Sequence, residues 1–369
     1  MPPNQEKNAY AKERYSLRAV LNPRAMLAMA GIGAVVLGAA TAFAWAGGLF
    51  SHRLTQTRII NTFEAVNGVH PGFRRNHTKG VCLAGTFQAS GDAAAISDAV
   101  VFKPGTVPVF GRFALAGGMP RTPDTPSTVR SMALNFTTSN GEVWRTGMND
   151  IPVLPVKDVQ GFYDQVSTAK PGPNGKPDPA AFPAFLKKHP EAVQAIAIIK
   201  ATPFSKGFAD DRYESLNAFL FVDAAGKKTP VRWAMVPVEP FQPALKTAPS
   251  DQNFLFTDLE RRLAKGPVQW HLIVTIGAPG DPTNDASKMW PKDRVKIDAG
   301  VLTVSALTAE EDGNCRDINF DPMMLPHGIQ PSDDPLLSAR SAAYSVSFRR
   351  RAGEPKSPSA VQPPARQGA

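Results

Sequence analysis

The sequence predicts an α+β fold: an antiparallel β-structure with inserted and C-terminal helices, preceded by one helix long enough to cross a membrane. Three observations point there. An uncharged run extends from Ala25 to Phe50. Beyond it, short apolar segments bounded by Gly, Pro and Asn-Gly pairs come first, and helical patterns are inserted later. The chain has 369 residues of 43% hydrophobic composition, which permits one large core.

Residues 1–24 are polar and carry five basic and two acidic residues. The positive-inside rule therefore places this arm in the cytoplasm, the run 25–50 as a transmembrane anchor, and the rest of the chain outside the inner membrane. Ala42-Phe43-Ala44 also offers a signal-peptidase site, which would release the domain. Residues 54–67 read as a short amphipathic helix stopped by Gly68. Gly80 to Phe87 reads as a buried strand. Further strands are expected at Ala99–Phe102, Val107–Phe113, Leu134–Thr137, Ala218–Val222, Val231–Val236, Trp270–Ile276 and Ala299–Val304. Helices are expected from Asp158, over 180–188 and 190–200, over Phe254–Ala264, and over Pro335–Arg349 with Asp334 as the cap. Residues 353–369 are rich in Pro, Ser, Ala and Gln and read as a disordered tail. These patterns alone do not separate a barrel from a sandwich.

Composition excludes some functions. The net charge is +9, but basic residues are not interleaved with aromatics on one surface, so nucleic acid is not the expected partner. The basicity suits an anionic membrane surface or an anionic cofactor. The two cysteines, Cys82 and Cys315, have no metal-ligand spacing; Cys82 reads as a small buried hydrophobe, with a disulfide as the alternative in an exported domain. No zinc pattern, P-loop or Rossmann fingerprint is present.

The candidate chemistry lies in Arg74-Arg75-Asn76-His77-Thr78-Lys79-Gly80. A histidine at the mouth of a glycine-bearing strand serves as a general base or a ligand, or simply packs beside the core. Arg340 and Tyr344 stand four residues apart on a predicted helix, with Arg351 seven further on, so all three share one face. A guanidinium one turn away favours the phenolate of a tyrosine.

These residues resemble haem catalases. Arg74, His77 and Gly80 fit the R-x-x-H-A-x-G pattern around the family's distal histidine. Gly111-Arg112-Phe113-Ala114 looks like V-R-F-S, and Arg130 to Phe136 looks like R-G-F-A-V-K-F. Gly147-Met148-Asn149-Asp150-Ile151-Pro152 looks like G-N-N-T-P. Trp290-Pro291, Phe320-Asp321-Pro322 and Pro326-His327-Gly328-Ile329 follow in the family's order. Arg340-Ser341-Ala342-Ala343-Tyr344 resembles R-L-F-A-Y.

The resemblance implies the catalase-type antiparallel β-barrel over residues 54–352. It implies a haem cofactor of b type, with Tyr344 as the iron ligand and His77 and Asn149 as the catalytic pair. Arg74, Arg112 and Arg351 would hold the propionates, Phe162 would pack on the porphyrin, and Arg340 would support Tyr344. The chain lacks the family's long N-terminal arm and further C-terminal domains, so it is similar to the minimal catalase-related peroxidases. The implied activity is reduction of hydrogen peroxide or organic hydroperoxides with a small-molecule electron donor, with weak catalase activity, in a monomer or loose dimer. A haem carrier or sensor with little turnover is the alternative. Asn76 and Ala114 depart from the pattern, and Ala114 stands where the family has a serine that hydrogen-bonds the distal histidine.

Overall fold

Residues 22–46 and 54–363 are described by a computed structural model, and the chain divides into two units at Leu54. The first unit contains helix α1, Pro23–Ala46, of 24 residues. Pro23 stands in its first turn, and none of its side chains is buried. It is long and apolar enough to cross a membrane. The expected arm 1–24 lies outside the described residues through 21, as does the end of the expected span from 47 to 50.

The second unit opens with α2, Gln56–Asn67, where Thr55 Oγ1 accepts the Arg58 N–H at 3.2 Å and Gly68 ends the helix at φ 79°. Four antiparallel strands come next: β1 Gly80–Ala89, β2 Gly105–Leu115, β3 Arg130–Thr137 and β4 Val143–Asn149. Three helices are inserted after them, α3 Val159–Ser167, α4 Ala181–Lys188 and α5 Pro190–Ala201. Then come β5 Tyr213–Glu214, β6 Phe219–Val222, β7 Lys228–Pro237, α6 Phe254–Leu263, β8 Val268–Ile276 and β9 Lys296–Thr308. β10 Ile329–Pro331 and α7 Pro335–Ala352 complete the unit. Pairings run β1-β2-β3-β4-β5-β7-β8-β9 and back to β1, which closes an eight-stranded antiparallel barrel. β6 and β10 branch from β7.

Strand alternation divides the barrel wall into two faces. Phe113, Met132, Leu134, Phe136, Trp144 and Met148 are buried in the main core. Phe136 and Trp144 are paired in register and stacked at 4.7 Å, and Trp144 meets Trp233 edge-on at 5.2 Å. The inside of the barrel is thus packed with aromatic and apolar side chains. Truncating one of these rings to alanine is expected to cost about 3–5 kcal/mol. The alternate residues face outward: Arg112 and Ala114 on β2, Ser131 and Ala133 on β3, Gly147 and Asn149 on β4. Except for Arg112 they are small or short, and they form the floor of the site.

The structure corrects three expectations. Val100–Phe102 is one 3₁₀ turn, closed by Phe102 N–H to Ala99 O at 3.1 Å, because Pro104 and Gly105 end the segment before it reaches a partner strand. The tail is packed through residue 363: Val361 is buried in the core, and Glu311 accepts from Ser359. Its prolines fix an extended path rather than leaving it free. Cys82 and Cys315, both fully buried, are joined as a disulfide. The pair is 233 residues apart in sequence, and only the return of β9 beside β1 brings them together.

Candidate functional site

A cavity lies on the outer face of β2–β4, beneath α2, α3 and α7. All eight residues singled out in the sequence line it: Arg74, His77, Arg112, Asn149, Phe162, Arg340, Tyr344 and Arg351. α7 faces it along Leu336, Arg340, Ala343, Ser347 and Arg351, the spacing of one helical face.

His77 adopts a left-handed backbone, φ 52°, unusual for a residue with a Cβ. The turn is held from below. Arg112 Nη1 donates to His77 O at 2.6 Å and Nη2 to Thr78 O at 2.9 Å, while Thr78 Oγ1 donates to Arg74 O at 2.8 Å. Gly80 is required here, because a Cβ at that position would fall against Phe113 O and the Arg112 guanidinium.

The imidazole is oriented by Ser131, a residue that the linear motifs do not mark. Ser131 Oγ lies 2.8 Å from His77 Nδ1 and donates its single proton to Asn149 Oδ1. A hydroxyl whose proton is spent can only accept. Nδ1 therefore carries the hydrogen, and the Nε2 lone pair is left free. The same bond occupies the Asn149 carbonyl, so its amide N–H groups remain as donors. Ser131 is the β3 partner of Ala114 in the β2–β3 register. A hydroxyl absent from one strand is supplied by its neighbour; the signal was the strand pairing, which a linear motif does not display. Burial pushes the His77 pKa down to about 3, aided by the guanidinium groups of Arg112, Arg340 and Arg74. The ring is neutral at neutral pH, ready to take a proton.

At one end of the cavity three guanidinium groups gather. Arg112 Nε pairs with buried Glu310 at 2.6 Å. Arg74 Nη2 donates to Cys315 O at 2.8 Å and Ile318 O at 2.9 Å. Arg351 donates through Nε to Arg316 O at 2.9 Å and through Nη2 to Ile318 O at 3.1 Å. Among the described residues, only Glu310 forms an ion pair with any of the three. Burial first, then mutual repulsion, lowers the pKa of Arg74 well below its usual value and that of Arg351 to about 10. Buried cations in such surplus mark a site for an anion.

The opposite wall is α7. Pro335 occupies its first turn, and Asp334 Oδ1 accepts from Leu336 N–H at 2.9 Å. Asp334 Oδ2 accepts from Asn217 Nδ2 at 2.8 Å, and Asn217 Oδ1 accepts in turn from Arg340 Nη1. Arg340 Nη2 reaches Gly147 O at 3.3 Å and Tyr344 Oη at 3.5 Å. The helix cap thus aims the guanidinium at the phenol. Phe162 packs 5.9 Å from Phe63 on α2 and joins a small second core with Val156 and Phe185, so it is both a core residue and a wall of the cavity.

The donor set fits haem. A phenol oxygen backed by a guanidinium stands on one wall, and an imidazole and an amide stand on another. Apolar rings flank the space, and the surplus cations match two carboxylates.

The chain is similar to known proteins. The family model described as Catalase matches residues 53–364. A catalase-related peroxidase of Synechococcus elongatus is 35% identical over 81% of this chain and 89% of its own. One from Mycolicibacterium paratuberculosis is 32% identical over 81% of this chain and 96% of its own. A solved bacterial catalase superposes with a TM-score of 0.68 at 24% identity, covering 82% of this chain and 62% of that one.

Proposed function

The chain belongs to the catalase family, and from that premise we propose a membrane-anchored haem peroxidase that reduces hydrogen peroxide or organic hydroperoxides with electrons from an external small-molecule donor, with weak catalase activity. The observation that carries this reading is the pairing across one cavity of Arg340–Tyr344 with His77–Ser131–Asn149. Haem iron, when bound, supplies the redox chemistry that cleaves the peroxide O–O bond. Two electrons and two protons enter overall, and a hydroperoxide leaves as an alcohol and water.

The protein's part derives from the geometry. Tyr344 Oη is the oxygen that would be offered to the metal, and Arg340 Nη2 stands 3.5 Å from it. Arg74, Arg112 and Arg351 would hold the two propionates. Phe162 would pack against the macrocycle. Asn149 donates from its amide to the incoming peroxide and competes with no base. His77 Nε2 accepts the hydroperoxide proton and returns it to the departing oxygen; its lowered pKa and fixed tautomer suit that task. Both cysteines are bonded to each other, leaving no thiol to attach haem covalently, which supports the b type.

α1 would span the inner membrane with the N-terminal arm in the cytoplasm and the haem domain, residues 54–352, in the periplasm. The five basic residues of the arm and a disulfide beyond α1 support that orientation. The domain would be a monomer or loose dimer.

Purified full-length chain supplemented with haem should show a Soret band and oxidise a small phenol in the presence of peroxide. A chain that develops no Soret band would sink the reading.

A further inference from the structure

We infer that the Cys82–Cys315 disulfide is a staple for the cofactor cradle, so that retention of a bound porphyrin through its carboxylates depends on the bridge. This rests on the haem reading above.

One short segment, Glu310 to Ile318, holds all three cavity arginines. Glu310 pairs with Arg112. The carbonyls of Cys315 and Ile318 accept from Arg74, and those of Arg316 and Ile318 accept from Arg351. The segment is poorly suited to hold itself. It consists of a single helical turn, Glu310–Gly313, a left-handed Asn314 at φ 55°, and a 3₁₀ turn, Cys315–Asp317. Backbone of this kind keeps its shape only when tertiary contacts impose it.

The bridge supplies such a contact at an informative place. Cys82 is the β1 residue paired with Arg112 on one side and with Thr308, the end of β9, on the other. It ties the segment to the strand position beside the arginine that Glu310 engages. Cys315 N–H also points to Cys82 Sγ at 3.1 Å, and a Cβ at Gly313 would sit 2.7 Å from Cys82 Cβ, so segment and strand are in close contact. A dithiol that delivers two electrons and two protons would convert the bridge to two thiols. Arg351 is buried, Arg74 is half-buried, and among the described residues neither has an ion-paired carboxylate, so a shifted segment leaves them without the carbonyls that fix them.

The test uses the full-length chain, loaded with haem and with haem dimethyl ester, whose carboxylates are blocked. Loss to excess apomyoglobin is followed in wild type and in Cys82→Ala/Cys315→Ala, with Cys82→Ser/Cys315→Ser as a second variant. The variants should lose haem roughly tenfold faster or more, the scale of one charged hydrogen bond, and should lose the ester at the wild-type rate. Equal haem loss, or equal acceleration for the ester, overturns the inference. Hydrogen exchange in the haem-free chain reads the staple separately: protection at 310–318 should fall selectively in the variants. Unchanged protection there overturns the staple even if haem binds, whereas failure of wild type to take up haem strikes at the haem reading alone.

Discussion

The two walls of the cavity are built by different kinds of contact. The α7 wall is local: Arg340 and Tyr344 stand one turn apart on one helix, under a cap at Asp334. The strand wall is assembled across the sheet: His77 precedes β1, Ser131 lies on β3 and Asn149 on β4. The difference teaches which departures from a family pattern matter. Ala114 removes a hydroxyl from β2, and Ser131, its register partner, restores one to the same imidazole. On α7 the Arg340–Tyr344 contact is set by helix spacing rather than by strand register.

The largest effect is therefore expected on α7. Tyr344→Phe removes the oxygen offered to the metal, and peroxidase turnover should fall by about 10³-fold or more, with an altered Soret band read on the same sample. Retention of both would show that another residue ligates the metal.

On the strand wall the expected loss is smaller and repairable. Ser131→Ala removes one hydrogen bond to His77 and one to Asn149. Turnover should drop roughly tenfold, in line with two ordinary hydrogen bonds at about 0.5–1.5 kcal/mol each. Adding Ala114→Ser should recover part of the loss, since the two positions are cross-strand neighbours. A double variant as slow as the single one would show that only β3 presents a hydroxyl in the right place.

The third effect concerns stability rather than turnover. In the haem-free chain the His77 pKa is lowered from 6.5 to about 3. The unfolded chain then binds a proton that the folded chain refuses, so this group's contribution is present above pH 6.5 and is lost as pH falls toward 3. His77→Gln should flatten the melting temperature against pH across that window. An unchanged slope would place the acid sensitivity elsewhere.

This contrast also explains what the sequence made legible. Six of the eight barrel strands and the main helices are marked by period and caps, and the eight candidate site residues by family motifs, each of which is local in the chain; β4 and the two-residue β5 were not expected. Ser131 and Glu310 were missed, and the Cys82–Cys315 bridge stood only as the alternative, because each acts through a partner far away in sequence: Ser131 through His77, Glu310 through Arg112 198 residues away, and Cys315 through Cys82. The packed tail was missed for the same reason: its anchors, Glu311 and Arg316, belong to the segment beside the cradle.

The most direct test of a working site between these walls is stopped-flow reaction of the haem-loaded chain with hydrogen peroxide, wild type against His77→Ala at matched haem content. The expected result is a rate lower by about 10²–10⁴-fold with an unchanged Soret band, the scale of a general acid–base group. A His77→Ala chain that reacts at the wild-type rate would contradict it.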